Sequence, residues 1–211
     1  MTRANTPVFS IPEPPSTHDR LLAAAAELFA ERGYGGTSMA EIAARVGVRK
    51  ASLYNYYPSK DELLLELLRR SLGAWQESCL PALEAAGSTE ERLWRHLRAS
   101  AEFARRHGPL LAIIRLAATQ LCGPLGERVE HEVVAQKRVH RQRLDRFFSE
   151  AVAAGEVAAG DAGELAYLYR AFANGVLLGY LDCNGGERPS DERLRRIWRR
   201  FWSGLDGRRP A

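Results

Sequence analysis

Apolar positions recur three and four apart along almost the whole chain and no segment alternates with a period of two, a pattern that predicts an all-α protein. The opening is the exception. Pro7, Pro12, Pro14 and Pro15 exclude a helix there and little apolar surface accompanies them, which predicts a disordered N-terminal arm over residues 1–16. Ser16 or Thr17 caps a first helix ending near Arg32 at Gly33, and Pro58 stops a short helix before a longer one. Ser38-x-x-Glu41, Ser59-x-x-Glu62 and Asp161-x-x-Glu164 each place a side-chain oxygen, and three residues later a carboxylate, where a helix leaves its first amides unpaired. Further helices are predicted near 59–79, 88–107, 109–121, 125–154, 161–182 and 190–204.

Residues 38–57, SMAEIAARVGVRKASLYNYY, read as two short crossed helices. Met39, Ile42 and Ala43 face inward on the first, and Leu53 and Tyr57 do so on the second. Gly47 supplies the left-handed turn between them, and Ala43 is small enough for a close crossing. With Val48, Leu53 and Tyr57 committed to the core, helical periodicity leaves Arg49, Lys50, Ser52, Asn55 and Tyr56 outward. Such side chains suit DNA: Arg and Lys neutralise phosphates or donate to guanine, Asn pairs with adenine, and hydroxyls bond phosphate oxygens. The start of the next helix, at Ser59 and Lys60, offers free amides to a further phosphate.

Residues 17–64, THDRLLAAAAELFAERGYGGTSMAEIAARVGVRKASLYNYYPSKDELL, resemble the DNA-binding domain of the TetR family of transcriptional regulators. The resemblance includes the LFAERGY end of the first helix, the G-V turn, the L-Y-x-Y-Y close of the second short helix and the P-S-K-D-E-L start of the next. It implies that Thr37, Arg49, Lys50, Tyr54, Tyr56 and Lys60 stand where family members contact the operator, and Ser38, Ser52 and Asn55 complete the expected DNA-binding set. Arg49, Ala51 and Asn55 depart from the residues commonest in the family, so the resemblance implies no base preference.

The expected organisation is a helix-turn-helix domain over residues 17–63 and a larger helical ligand-binding and dimerisation domain over 64–207, the role of the latter being implied by the resemblance. In that domain the stripe Val129, Val133, Gln136, His140, Leu144, Phe147 is apolar except for Gln136 and His140, which need a partner from the protein, from water or from a ligand. Trp94, Phe103, His107, Arg115, Thr119, Phe147 and Phe172 join them as candidate ligand residues, because pockets combine aromatic walls with a few convergent polar groups. Ala171, Gly175 and Gly179 lie four apart on one face, and Leu194, Ile197, Trp198, Phe201 and Trp202 give the last helix more apolar area than an exposed terminal helix needs. Pairing with a second subunit explains both features, as in the family's four-helix dimer interface; an intrachain core explains them equally, with Ala171, Gly175, Gly179, Leu194, Trp198, Phe201 and Trp202 as the candidate dimer residues.

Charge and composition refine this little. The net charge of +4 permits DNA binding, but residues 1–70 hold nine Lys/Arg against eight Asp/Glu. Basic runs at Lys137–Arg146 and Arg193–Arg200 read as solvated helix faces, with additional phosphate contact or an anionic ligand as the alternative. Cys79, Cys122 and Cys183 are too scattered for a disulfide framework or a zinc site. Without an apolar run of about 20 residues or a signal-like start, a cytoplasmic protein is expected, with no membrane partner. His18, His96, His107, His131 and His140 form no metalloprotease pattern, and no nucleophile elbow or phosphate loop is present. No enzyme, metal or cofactor is therefore expected. The resemblance implies a homodimeric regulator, a repressor by default, that binds palindromic operator DNA and is released by a small-molecule effector; a ligand-independent DNA-organising or protein-docking member of the same fold is the alternative.

Overall fold

The computed structural model describes residues 16–107, 123–158, 160–181 and 190–205. These residues form α1 (Thr17–Arg32), α2 (Met39–Val46), α3 (Lys50–Tyr56), α4 (Lys60–Cys79) and α5 (Pro81–Glu84). They continue with α6 (Thr89–Arg106), α7 (Gly123–Ala153), α8 (Ala162–Leu181) and α9 (Asp191–Leu205), and hold no strand. The arm expected before residue 16, the helix expected near 109–121, Arg115, Thr119, Cys122, Cys183 and the side chain of Gln136 lie outside the described residues.

Helix starts follow from local chemistry. Ser16 Oγ accepts from Asp19 N at 3.1 Å, opening α1. At α2 the capping box is complete, with Glu41 N donating to Ser38 Oγ at 3.2 Å and Ser38 N to Glu41 Oε2 at 2.8 Å. Ser59 accepts from Glu62 N, but the Glu62 carboxylate turns instead to Arg128 at 2.6 Å. Asp161 Oδ1 accepts from Glu164 N at 2.8 Å to start α8. The Ser88–Glu91 box that opens α6 is a further reciprocal pair of the same kind.

Two cores organise these helices. The first gathers α1 to α4 around Leu21, Ala25, Phe29, Ile42, Leu53 and Leu64, and Val129 and Val133 of α7 close it from the side. The second joins α5, α6, the later part of α7, α8 and α9 around Leu93, Leu97, Leu144, Phe148, Tyr169 and Trp198. α4 belongs to the first core from Leu63 to Leu72, while Leu80 at its end enters the second. Exposed ion pairs Arg69–Glu132, 3.1 Å, and Arg128–Glu62, 2.6 Å, also tie α4 to α7, each contributing about 0–1 kcal/mol.

The last helix packs much of its apolar surface within its own chain. Leu194 and Trp198 are only 1% and 2% exposed within the single chain. Phe201 stacks on Phe172 with ring centroids 4.0 Å apart, and Trp202 stacks on Trp198 at 5.9 Å. Leu194 and Trp198 of α9 are thus covered by their own chain, where α6 and α8 present aromatic rings to them, while Phe201 and Trp202 are half-buried and Ile197 is exposed. The outer face of α8 is different: Ala171 and Gly175 are exposed, among the described residues nothing outside the backbone of α8 lies within 4 Å of where a Cβ would stand at Gly175, and Tyr167, Leu168 and Leu178 remain 62%, 45% and 45% exposed beside them.

Candidate functional site

The crossed pair α2–α3 rests on a few residues. Gly47 adopts φ 76° and ψ 29°, the left-handed conformation that glycine takes without a Cβ clash, and its N–H closes α2 onto Ala43 and Ala44. Ile42 and Ala43 are buried under α3, whose Leu53 is fully buried and whose Tyr57, at the C-cap, packs in the same core. Tyr57 Oη lies 2.6 Å from His18 Nε2. Arg70 Nη2 donates to His18 Nδ1 at 3.1 Å, which leaves Nε2 as the ring nitrogen facing Tyr57. The end of α3 is thereby tied to both α1 and α4.

Arg49, Lys50, Tyr54, Asn55 and Tyr56 are exposed and Ser52 is half-buried, with Tyr54 and Tyr56 at 42% and 48% exposure. Lys50 Nζ stands 5.7 Å from the Tyr54 ring centroid. A groove of about 480 Å³ runs between the start of α2, Lys50 and Tyr54 of α3, and Pro58, Ser59 and Lys60 at the start of α4. Two helix N-termini and a lysine from α3 therefore border one groove, an arrangement that attracts anions.

Two expected DNA-contact residues are used inside the fold. The Thr37 side chain is buried, and its hydroxyl is within hydrogen-bond reach of the carbonyls of Leu28, 3.1 Å, and Gly33, 3.0 Å, which locks the end of α1 to the entry of α2. The reason is local: the carbonyls ending α1 need donors, and Thr37 is the hydroxyl nearest the break. Lys60 Nζ donates to the carbonyls of Tyr34 and Thr37 at 2.8 and 2.9 Å and lies 4.2 Å above the Tyr34 ring. Tyr34 in turn donates to Asp61. Ser38, which also borders the groove, is engaged with Glu41.

In the second core, α4, α7 and α8 border a cleft of about 540 Å³. Of the expected ligand residues that are described, His140 is the one that borders it. Trp94 packs 6.0 Å from Trp198 beneath Arg195, Phe103 is buried beside the exposed His107, Phe147 lies under the Arg92 guanidinium and Phe172 stacks on Phe201. These rings are consumed by packing. Trp75, Arg170 and Asn174 border the cleft without having been singled out in the sequence. Trp75 continues the inward stripe Leu68, Leu72, Cys79 of α4, which was the signal available for it.

Behind the cleft a polar line crosses the core. Tyr169 Oη donates to Leu93 O at 3.1 Å and accepts from His96 Nδ1 at 2.7 Å, so neutral His96 leaves Nε2 bare to accept from His140 Nε2 at 3.3 Å. The two imidazoles stack at 5.3 Å, and Trp75 meets His140 edge-on at 4.7 Å. Burial and the neighbouring imidazole hold the His96 pKa down at about 3. Burial and Arg170 hold His140 at about 4. Both rings are therefore neutral near pH 7. Burial likewise pushes the Cys79 thiol up to about 11, leaving it unreactive. Among the described residues no group of three or more His, Cys, Asp or Glu is placed to hold a metal ion, and no helix is long and apolar enough to cross a membrane.

Comparison with known proteins agrees with this geometry. Residues 21–67, which contain α2 and α3 and most of α1, match the family described as bacterial regulatory proteins, tetR family. The HTH-type transcriptional activator FasR of Mycolicibacterium smegmatis is 38% identical over 84 residues, 40% of this chain and 38% of that protein. The HTH-type transcriptional repressor KstR2 of the same organism is 36% identical over 94 residues, 43% of this chain and 44% of that protein. The chain thus spans less than half the length of these two relatives. Over nearly the whole chain the fold is that of AibR, solved in complex with isovaleryl coenzyme A and operator DNA, at a TM-score of 0.70 and 26% identity over 91% of this chain and 99% of that one. PfmR, a TetR family transcriptional regulator from Thermus thermophilus, shares the fold at a TM-score of 0.74 and 24% identity, over 92% and 99% of the two chains. Residues 21–67, which hold the crossed helix pair, thus match the tetR family of bacterial regulatory proteins, and the chain as a whole shares its fold with AibR and PfmR.

Proposed function

We propose that the protein is a ligand-responsive transcriptional regulator that binds palindromic operator DNA as a homodimer and releases it when a small molecule occupies the larger domain. One observation carries the reading: α3 is anchored by Leu53 and Tyr57 while Arg49, Lys50, Tyr54, Asn55 and Tyr56 stand outward on its other side. In this reading residues 17–63 are the DNA-binding head and 64–207 the effector and dimerisation body, preceded by the arm at 1–16. Arg49, Lys50 and Asn55 read base edges or phosphates, and Ser52, Tyr54 and Tyr56 bond phosphate oxygens from the rim of the groove. Thr37 and Lys60 act as positioning residues that fix where the groove lies. The cell compartment is the cytoplasm, where the operator is, and no catalysis is assigned to the chain.

Dimerisation is assigned to the outer face of α8, because Tyr167, Leu168 and Leu178 surround the small residues Ala171 and Gly175 there. Two heads related by a two-fold axis reach successive major grooves about 34–36 Å apart. α4 couples body to head, since Leu63–Leu72 pack under the head and Leu72 and Trp75 border the cleft. A ligand that prefers one setting of α4 shifts the spacing of the heads, and a coupling of about 1–3 kcal/mol changes DNA affinity some 5- to 150-fold. Repression is the working sign, although the relatives include an activator as well as a repressor. Selection of bound genomic fragments followed by footprinting tests the whole reading. A protected near-palindrome with two half-sites is expected; a folded dimer that protects no preferred site at low salt overturns it.

A further inference from the structure

The cleft between α4, α7 and α8 combines an apolar wall with a cationic lining. Its volume, about 540 Å³, lies inside the range of roughly 300–1,000 Å³ usual for small-molecule sites. One wall is apolar, made by Leu72 and Trp75 of α4, Val134 of α7 and Leu177 of α8. The charged lining is of a single sign: Lys137, Arg138 and Arg141 of α7 and Arg170 of α8, with no carboxylate among the lining residues. Asp145, just outside, is shared by Arg141 at 3.7 Å and Arg170 at 3.4 Å, and Lys137 and Arg138 make no ion pair among the described residues. Trp75 Nε1 is buried without an acceptor among the described residues, which a buried N–H rarely is.

We propose that this cleft is the effector site and that its ligand is a small organic anion with an apolar body. The acid group lies among Arg170, Lys137 and Arg138, and the body covers the Trp75 and Leu177 side. A cation meets only like charge in this lining, and a neutral ligand leaves the cationic surplus unanswered. A nucleic-acid backbone satisfies the cations but leaves the apolar wall bare. The effector role rests on the regulator reading; the choice of ligand class rests on the cleft alone.

The test uses one apolar body with three head groups: 4-phenylbutyrate, 4-phenylbutanol and 4-phenylbutylammonium, titrated calorimetrically into the full-length protein near pH 7 without DNA. The anion is expected to bind about tenfold or more tighter than the alcohol, and the ammonium to give no measurable binding. The Lys137→Ala/Arg138→Ala protein, which breaks no ion pair, is expected to lose about fivefold in affinity for the anion and nothing for the alcohol. Trp75→Ala is expected to weaken both, because each loses the ring that its apolar body covers. Equal affinity across the three probes, no binding of the anion, or an anion affinity untouched in both variants overturns the assignment. Footprinting of the same preparation separates the two ideas. A clean operator footprint with no preference for the anion removes only the ligand class, whereas tight anion binding with no footprint removes the regulator role and leaves the site.

Discussion

The head and the body solve the same packing problem with different materials. In the head, α1 to α4 bury mainly Leu, Ala and Ile, and the buried polar side chain within α1–α3 and their connections is Thr37, satisfied by nearby carbonyls. Every side chain assigned to DNA other than Thr37 and Lys60 reaches outward, so the surface of α3 can vary without disturbing the core. The body instead fills its centre with Phe147, Phe148, Tyr169 and Trp198 and runs the His96–Tyr169 pair through them. Its polar and apolar parts are interlocked. A head of this kind holds a fixed reading surface, while a body of this kind answers to whatever changes its buried polar line or the cleft beside it.

Removing the largest ring of the body gives the strongest expected effect. Trp198→Ala should cost about 3–5 kcal/mol, because the side chain is 2% exposed and neighbours Trp94, Phe172, Phe201 and Trp202. Urea unfolding measures it: a large drop in midpoint is expected, while a fully stable folded monomer would return α9 to the dimer interface. Leu53→Ala in the head should cost about 2 kcal/mol or more. Trp75, Trp94, Trp198 and Trp202 all lie outside α1–α3, so tryptophan emission reports the body alone. Lost footprinting with unchanged emission is expected; emission that shifts with it would show that head and body melt together.

Acid should discriminate the two regions next. His96 and His140 sit at about 3 and about 4 when folded, against 6.5 for the free side chain. Below pH 6.5 the unfolded chain takes up protons that the folded chain refuses, so this stability is complete above pH 6.5 and lost as pH falls toward the folded values. The slope is at most about 1.4 kcal/mol per pH unit for each imidazole. Urea midpoints read by tryptophan emission at about pH 7.5 and 5.5 should fall in the parent protein and stay nearly level in His96→Gln/His140→Gln; equal slopes would dismiss the pair as the acid-sensitive element.

The same contrast explains what could be read in the sequence. The head was legible because its signals are local: Ser38 and Glu41 for the start of α2, Gly47 for the turn, Leu53 and Tyr57 at helical spacing for the anchor of α3. Helices of the body were also legible to within a residue or two at the ends of α6 and α8. Their partners were not, because nothing in the spacing of His140 reveals that His96, forty-four positions earlier, lies 3.3 Å away. For the same reason Trp198 could face α8 or a second chain with equal claim. The internal bonds of Thr37 and Lys60 were hidden for the same reason, since neither a resemblance nor a periodicity counts the carbonyls awaiting donors at the break after α1.

The internal bonds of Lys60 lead to the smallest and sharpest contrast, between the lysines that border the groove. Lys50 Nζ is engaged only by the distant face of Tyr54 and sits on an exposed helix position, so its charge is available to a phosphate. Lys60 Nζ already bonds the carbonyls of Tyr34 and Thr37. Lys50→Ala should therefore leave the urea midpoint unchanged, weaken binding to every DNA sequence and reduce the slope of log affinity against log salt by about 0.9. Lys60→Ala should instead lower stability by about 1–3 kcal/mol, because two carbonyls lose a charged donor, and should weaken DNA binding only as far as the groove loosens. Paired measurements of urea midpoint and salt slope on both variants check this. If Lys60→Ala shifts the salt slope as much as Lys50→Ala while leaving stability intact, Lys60 is a phosphate ligand after all, and the groove opens in the bound state to release it from the carbonyls of Tyr34 and Thr37.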